Sequence, residues 1–150
     1  MTTKTLRLAG CLMALAFAAA CGGKNYVKGG KVQDTIAQDP DKGKFIEAIG
    51  IGAADPTLPT ETQRRALSRD AAIVKSQYEM LSMVKGVEIE GGITVSRAIE
   101  KDSTLEARLK ETIRGAEIVK TEFTKDDGAV VTLRLPKKRL EQMMGVRFKC

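Results

Sequence analysis

Apolar residues change rhythm several times along this chain, and each rhythm predicts a different element. The first stretch has no rhythm at all. Leu12 through Cys21 is an uncharged run closing on Ala18-Ala19-Ala20-Cys21, with Lys4 and Arg7 ahead of it and no further charge until Lys24. That core falls well short of the roughly 20 apolar residues a membrane-crossing helix requires. A positive start, a short apolar core and small closing residues make a secretory signal peptide instead, over residues 1–20. Residues 21–44 then turn polar, with Gly22-Gly23, Gly29-Gly30 and Asp39-Pro40 set among Lys, Asp and Gln. Such composition predicts a flexible tether.

Ordered periodicity begins at Phe45. Phe45 to Ala53 reads as a strand, interrupted by Gly50 and Gly52 in a way that implies close approach by another part of the chain. Thr60 and Gln63 form a capping-box pattern behind Pro59 and open a long helix that stops near Gly86. Leu67, Ala71, Val74, Tyr78 and Leu81 recur at steps of four and three, which predicts a stripe facing the core, widened by Ile73, Met80 and Val84. Val87 to Glu90 alternates as a half-buried strand and resumes at Ile93 after Gly91-Gly92. Ser103 and Glu106 suggest a second capping box, for a helix that carries Leu105, Leu109 and Ile113 and ends at Gly115. A start nearer Ser96 fits as well. Val119, Thr121 and Phe123 alternate into Lys125-Asp126-Asp127-Gly128, and Val131, Leu133 and Leu135 alternate out, the pattern of a hairpin. Lys137 to Met144 reads as a short helix stopped by Gly145. Mixed periods of 2 and 3.6 in one core-sized stretch predict an α+β fold for residues 45–150, with the long helix on one face of a mainly antiparallel sheet and a shorter helix beside it.

Composition narrows the chemistry. The 150-residue chain has no histidine, which removes the commonest metal ligand and the commonest general base near neutral pH. Its three cysteines are Cys11 in the signal, Cys21 at the cleavage point and Cys150 at the end, so a Cys/His zinc site is excluded. Asp39-Pro40-Asp41-Lys42-Gly43 starts like a calcium loop, but Lys44 and Gly50 stand where glycine and a bidentate glutamate are needed. Gly50-Ile51-Gly52 lacks the third glycine of a dinucleotide fingerprint, Asp55 taking its place. We therefore expect no metal, no cofactor and no enzymatic activity; the competing expectation is a small-molecule binder or an enzyme using carboxylates such as Asp55 or Glu61. Without its signal the chain keeps 23 Lys and Arg against 19 Asp and Glu, a charge of +4. Lys137, Lys138 and Arg139, with Arg147 and Lys149 nearby, are the candidate polar contact surface, suited to acidic lipid or an acidic protein neighbour. Nucleic acid is not expected as a partner of an exported chain.

Two resemblances add to this reading. The run ending at Cys21 resembles a bacterial lipoprotein signal, which implies cleavage before Cys21 and its lipidation; Ala18 replaces the more usual leucine. Two or three acyl chains, at about 0.8 kcal/mol per buried methylene, would hold such a protein firmly on a membrane. Gly22, where inner-membrane lipoproteins often carry Asp, points to the outer membrane by that resemblance. The second concerns the domain. The strand IGIGAA, the helix with Gln63-Arg64-Arg65-Ala66-Leu67-Ser68-Arg69-Asp70-Ala71-Ala72 and the Asp-Gly hairpin resemble the LPP-twenty lipoprotein family over roughly residues 45–135. That likeness implies the topology, no catalytic residues, and a structural or assembly role, in some members as rings or discs around the flagellar motor. The expectation is thus an outer-membrane lipoprotein anchored at Cys21 that associates with copies of itself or with other envelope proteins; a surface lipoprotein with no assembled partner is the remaining alternative.

Overall fold

The computed structural model describes residues 24–33 and 43–149. Residues 1–20, the anchor position Cys21, the stretch Asp39–Lys42 and Cys150 lie outside these.

The fold is α+β. Strands β3 (Phe45–Gly52), β6 (Glu117–Phe123) and β7 (Ala129–Pro136) form an antiparallel sheet in the order β3-β7-β6. Helix α1 (Glu61–Gly86) lies across one face. On that face β3 contributes Ile46 and Ala48, and β7 contributes Ala129, Val131, Leu133 and Leu135, all buried. Beyond α1 come the short strands β4 (Glu88–Ile89) and β5 (Ile93–Thr94), then helices α2 (Val95–Lys101) and α3 (Thr104–Arg114). Helix α4 (Lys137–Met144) follows β7 and packs on α3, with Leu105, Leu109, Ile113, Leu140 and Met144 completing the core. Each such fully buried side chain contributes about 1.5–3 kcal/mol.

Local signals behave as their chemistry dictates. The Thr60 backbone N–H donates to the Gln63 side chain at 3.3 Å, and the Gln63 backbone N–H donates to the Thr60 hydroxyl at 3.2 Å, so the capping box is formed. The β6–β7 turn places Asp127 in the left-handed region at φ 61°, which aspartate tolerates. Between Ile118 and Lys120 the pairing slips by one, leaving Val119 as the extra residue of a bulge that the alternation did not announce.

Three expectations are corrected. Helix α1 buries Met80 and Val84 as expected, with Ile73 and Leu81 packed against the core, but its first half turns the opposite face to the sheet: Ser68, Ala72 and Ser76 are buried, whereas Leu67, Val74 and Tyr78 stay 48, 66 and 65% exposed and Ala71 is exposed beside them. The reason is distance. A methyl group on Gly50 would lie 2.9 Å from the Ser76 Cα, and one on Gly52 would lie 2.8 Å from the Ala72 nitrogen, so the helix backbone rests directly on the glycine strand. Only alanine and serine fit between them. The helix expected from 96 or 103 to 115 is two helices, broken at Asp102 and Ser103. Ser103 makes no capping bond; Asp102 instead accepts from the Thr104 backbone N–H at 2.9 Å and its hydroxyl at 2.7 Å.

The third correction concerns only residues 24–33 of the expected tether. Val27–Lys28 and Lys31–Val32 pair as the hairpin β1–β2, with Gly29 at φ 62° and Gly30 at φ 79° in its turn. Glu122 of β6 accepts the Tyr26 N–H at 2.9 Å and the Val27 N–H at 3.3 Å, and the Gly30 carbonyl accepts the Lys125 N–H at 3.1 Å. Burial and the carboxylates of Glu47 and Glu122 raise the Tyr26 phenol pKa, as expected of a ring held over the sheet face away from α1. The C-terminal segment is packed as far as Lys149. Phe148 is buried and bridges to Ile89, while Glu90 donates to the Arg147 carbonyl at 2.8 Å and Lys149 to the Glu88 carbonyl at 3.0 Å.

Candidate functional site

Three surfaces concentrate the chemistry of the described residues. At the first, the start of α1 meets the β6–β7 turn. Arg64 Nε donates to Asp127 Oδ2 at 2.8 Å and Arg65 Nε to Asp127 Oδ1 at 3.0 Å, while the Ser68 hydroxyl donates to the Asp127 carbonyl at 2.7 Å. Arg64 also donates to the Leu58 carbonyl at 3.0 Å, and the Arg65 guanidinium lies 5.1 Å from the Phe123 ring centre. Asp127 is therefore the knot tying helix, turn and loop. Its carboxyl is held below the usual carboxylate range, first by the Arg64 hydrogen bond and then, against burial, by Arg65. A depression lined by Ala54, Pro56, Arg64, Asp126 and Asp127 opens beside this knot. Asp126 accepts from the Thr124 hydroxyl, which lowers its pKa too.

The carboxylates proposed for catalysis are engaged locally. Asp55 accepts from the Thr57 N–H at 2.9 Å and the Thr57 hydroxyl at 2.6 Å, closing its own turn, and those two bonds lower its pKa. Glu61 pairs with Arg65 at 2.7 Å across one turn of α1.

The second surface is the first turn of α4, carrying Lys137, Lys138 and Arg139. Successive helix residues point about 100° apart, so the three do not form one flat patch. Arg139 reaches back and donates to the Gly115 carbonyl at 3.0 Å, satisfying the end of α3. The Lys137 backbone N–H donates to the Lys44 carbonyl at 3.0 Å, while its half-exposed side chain and the exposed Lys138 carry the charge outward. Cations at a helix N-terminus are disfavoured by the helix dipole, and no acidic residue occupies the first turn of α4. Further along the basic stretch, the charge of Lys149 is paired. Lys149 pairs with Glu88 at 3.2 Å, and Glu141 accepts the Phe148 N–H at 2.9 Å.

The third surface is the outward face of α1, where Leu67, Ala71, Val74 and Tyr78 form a continuous apolar row edged by Asp70 and Lys75. The periodicity found this row but assigned it to the core. Gly50 and Gly52 carried the signal against that assignment, since glycines set for close approach need small residues opposite, and Ser68, Ala72 and Ser76 supply them at a spacing of four. Among the described residues no cluster of three or more acidic or thiol groups could hold a metal, and no helix is long and apolar enough to cross a membrane. No family model, curated protein or solved structure matches this chain.

Proposed function

We propose that this protein is a non-enzymatic outer-membrane lipoprotein of the LPP-twenty type, anchored through Cys21 and acting as a structural or assembly component of the envelope. The observation that carries the reading is the outward row on α1. A small domain that keeps Leu67, Val74 and Tyr78 in water, while its candidate carboxylates Asp55 and Glu61 are engaged within their own turns, is built for contact more than for turnover. The lipoprotein-like run ending at Cys21 supports the anchor. The side chains of Lys137 and Lys138 suit acidic lipid headgroups or an acidic neighbour, and that contact weakens with salt because exposed charges are screened beyond about 8 Å at physiological ionic strength. A role in a ring or disc at the flagellar motor is the finer form of the proposal and rests on the family resemblance.

Metabolic labelling with a fatty-acid analogue tests the anchor. Label and outer-membrane fractionation are expected in the native chain, and both are lost in Cys21→Ser; label that persists in that variant rejects the anchor. Imaging of motors and a motility assay in a deletion strain decide the flagellar form, since unaltered motors and full motility reject it.

A further inference from the structure

The hairpin β1–β2 runs in a definite direction. The Lys120 ammonium donates to the Asn25 side chain, Glu122 accepts the Tyr26 and Val27 N–H groups, and the Lys125 N–H donates to the Gly30 carbonyl. Both numberings rise together, so β1 follows β6 in the same direction. The chain enters beside the start of β6, and the Gly29-Gly30 turn lies next to the β6–β7 turn. At the start of β6 the sheet ends: Glu117 is opposite Arg134, Phe45 is opposite Pro136, and the Lys137 N–H donates to the Lys44 carbonyl at 3.0 Å. Cys21 stands three residues ahead of Lys24, a separation of at most about 11 Å. Lys125 and Gly30 lie about 16 Å beyond Lys120 along β6, outside that reach.

We propose that this end of the domain is its membrane-facing surface, with Lys24, Lys44, Lys137 and Lys138 seated on the anionic phosphate headgroups of the bilayer that holds the Cys21 lipid. That placement rests on the lipid anchor proposed above, and adds the side on which the domain lies. Lys24, Lys44 and Lys138 are exposed and Lys137 is half-exposed. Among the described residues the acids near them are largely answered. Glu47 is held by Arg134 at 2.6 Å and Glu111 lies 4.0 Å from Arg114, while Glu117 is exposed. The end is therefore basic.

Its chemistry suits headgroups. Lys137 and Lys138 occupy the first turn of α4, where the helix dipole disfavours cations and no acidic residue is present; phosphate placed there offsets that cost. Phe45, 43% exposed at the same edge with the Arg134 guanidinium 5.0 Å from its ring centre, offers an apolar body to the interface. A single lysine holds weakly to an anionic surface. The lipid keeps all four within reach of it, so contacts too weak for free molecules become populated. Lys28, Lys31 and Lys125 are the contrast. They are also exposed, yet they stand at the far end of the hairpin, where Lys28 is opposite Lys31.

Lysine acetylation of the lipoprotein on vesicles tests the placement, read residue by residue by mass spectrometry. On vesicles with about one quarter phosphatidylglycerol, Lys24, Lys44, Lys137 and Lys138 should react about fivefold more slowly than on phosphatidylcholine alone. Lys28, Lys31 and Lys125 should react at equal rates on both. High salt should remove the difference. The variant Lys137→Glu/Lys138→Glu should lose the protection at Lys44, while Lys28→Glu/Lys31→Glu keeps it. Acidic side chains suit a helix start, so the first variant should melt no lower than the native chain, which separates lost contact from lost fold. Protection that is absent, equal on the two kinds of vesicle, or as strong at Lys28 and Lys31 overturns the proposal. So does protection found in native membranes but not on vesicles of pure lipid, which assigns this end to an acidic protein. The intact mass reports acylation in the same sample. An acylated chain without selective protection rejects the placement and leaves the anchor. Selective protection in a chain without acyl mass rejects the anchor and leaves the basic end as the membrane contact.

Discussion

Replacing Gly50 by alanine probes the contact on which the fold turns. The substitution adds one methyl group, and the φ of Gly50 does not lie in the left-handed region, so backbone strain contributes nothing. The added carbon would lie 2.9 Å from the Ser76 Cα and closer still to the Ser76 nitrogen and the Ala72 carbonyl oxygen. All three are backbone atoms in the middle of a 26-residue helix, so no side chain can swing aside. Helix α1 must lift off β3 by about 1 Å, loosening Ala72, Ser76 and Met80 together. Overpacking a close-packed interior costs about 1–3 kcal/mol, and the absence of any yielding partner places this case at the upper end. For a domain near 100 residues each kcal/mol lowers the thermal midpoint by about 4–8 °C, so a loss of roughly 12–24 °C is expected. Thermal unfolding followed by circular dichroism measures it, with Gly86→Ala as the matched control. An added methyl at Gly86 meets no atom within 4 Å, and alanine is the better helix former, so that variant should melt at or slightly above the native temperature. If Gly50→Ala melts within about 2 °C of native, the helix does not rest on the glycine strand and the explanation for its outward apolar row fails.

Asp127→Asn keeps a residue that accepts the left-handed turn and removes the charge facing Arg64 and Arg65. The native carboxyl is depressed, so its stabilisation is fully present above the unfolded value near pH 4 and is lost as pH falls through the lower native value; the deficit of the variant, measured by melting at pH 7 and pH 3, should shrink in acid, and a deficit independent of pH refutes the charge pairing. Phe148→Ala empties a buried site beside Ile89 and should cost about 3 kcal/mol in urea denaturation, whereas a change below about 0.5 kcal/mol would mean the C-terminal segment is not part of the core. Glu122→Ala removes the acceptor for the Tyr26 and Val27 N–H groups, so those amides should lose hydrogen-exchange protection and residues 24–33 should become the first site of proteolysis. Unchanged protection there would show that the hairpin holds without Glu122. Asp102→Ala should lower stability while Ser103→Ala leaves it near native, the reverse of what the Ser103–Glu106 pattern implies.

What the sequence determined by itself is the part written in neighbouring residues. The capping of α1 by Thr60 and Gln63, the strand over Phe45–Gly52, the hairpin around Asp127-Gly128 and the stop at Gly145 each depend on a few adjacent positions. The hairpin at Val27–Val32 was written in the same script, as valine and lysine on either side of Gly29-Gly30, but polar composition hid it because its docking partner Glu122 lies 96 residues away from Tyr26. Only the tertiary structure decided which face of α1 is the inner one. Hydrophobicity ranks Leu67, Val74 and Tyr78 above Ser68, Ala72 and Ser76, yet the glycines of β3 admit only the smaller set. For the candidate surfaces the same division holds. The charges of Lys137, Lys138 and Arg139 were plain, but that Arg139 spends its guanidinium on the Gly115 carbonyl follows from the placement of α4 beside α3. Local pattern records what a segment is able to form; the direction a side chain faces is set by the shape of what lies opposite, and that shape exists only once distant segments have met.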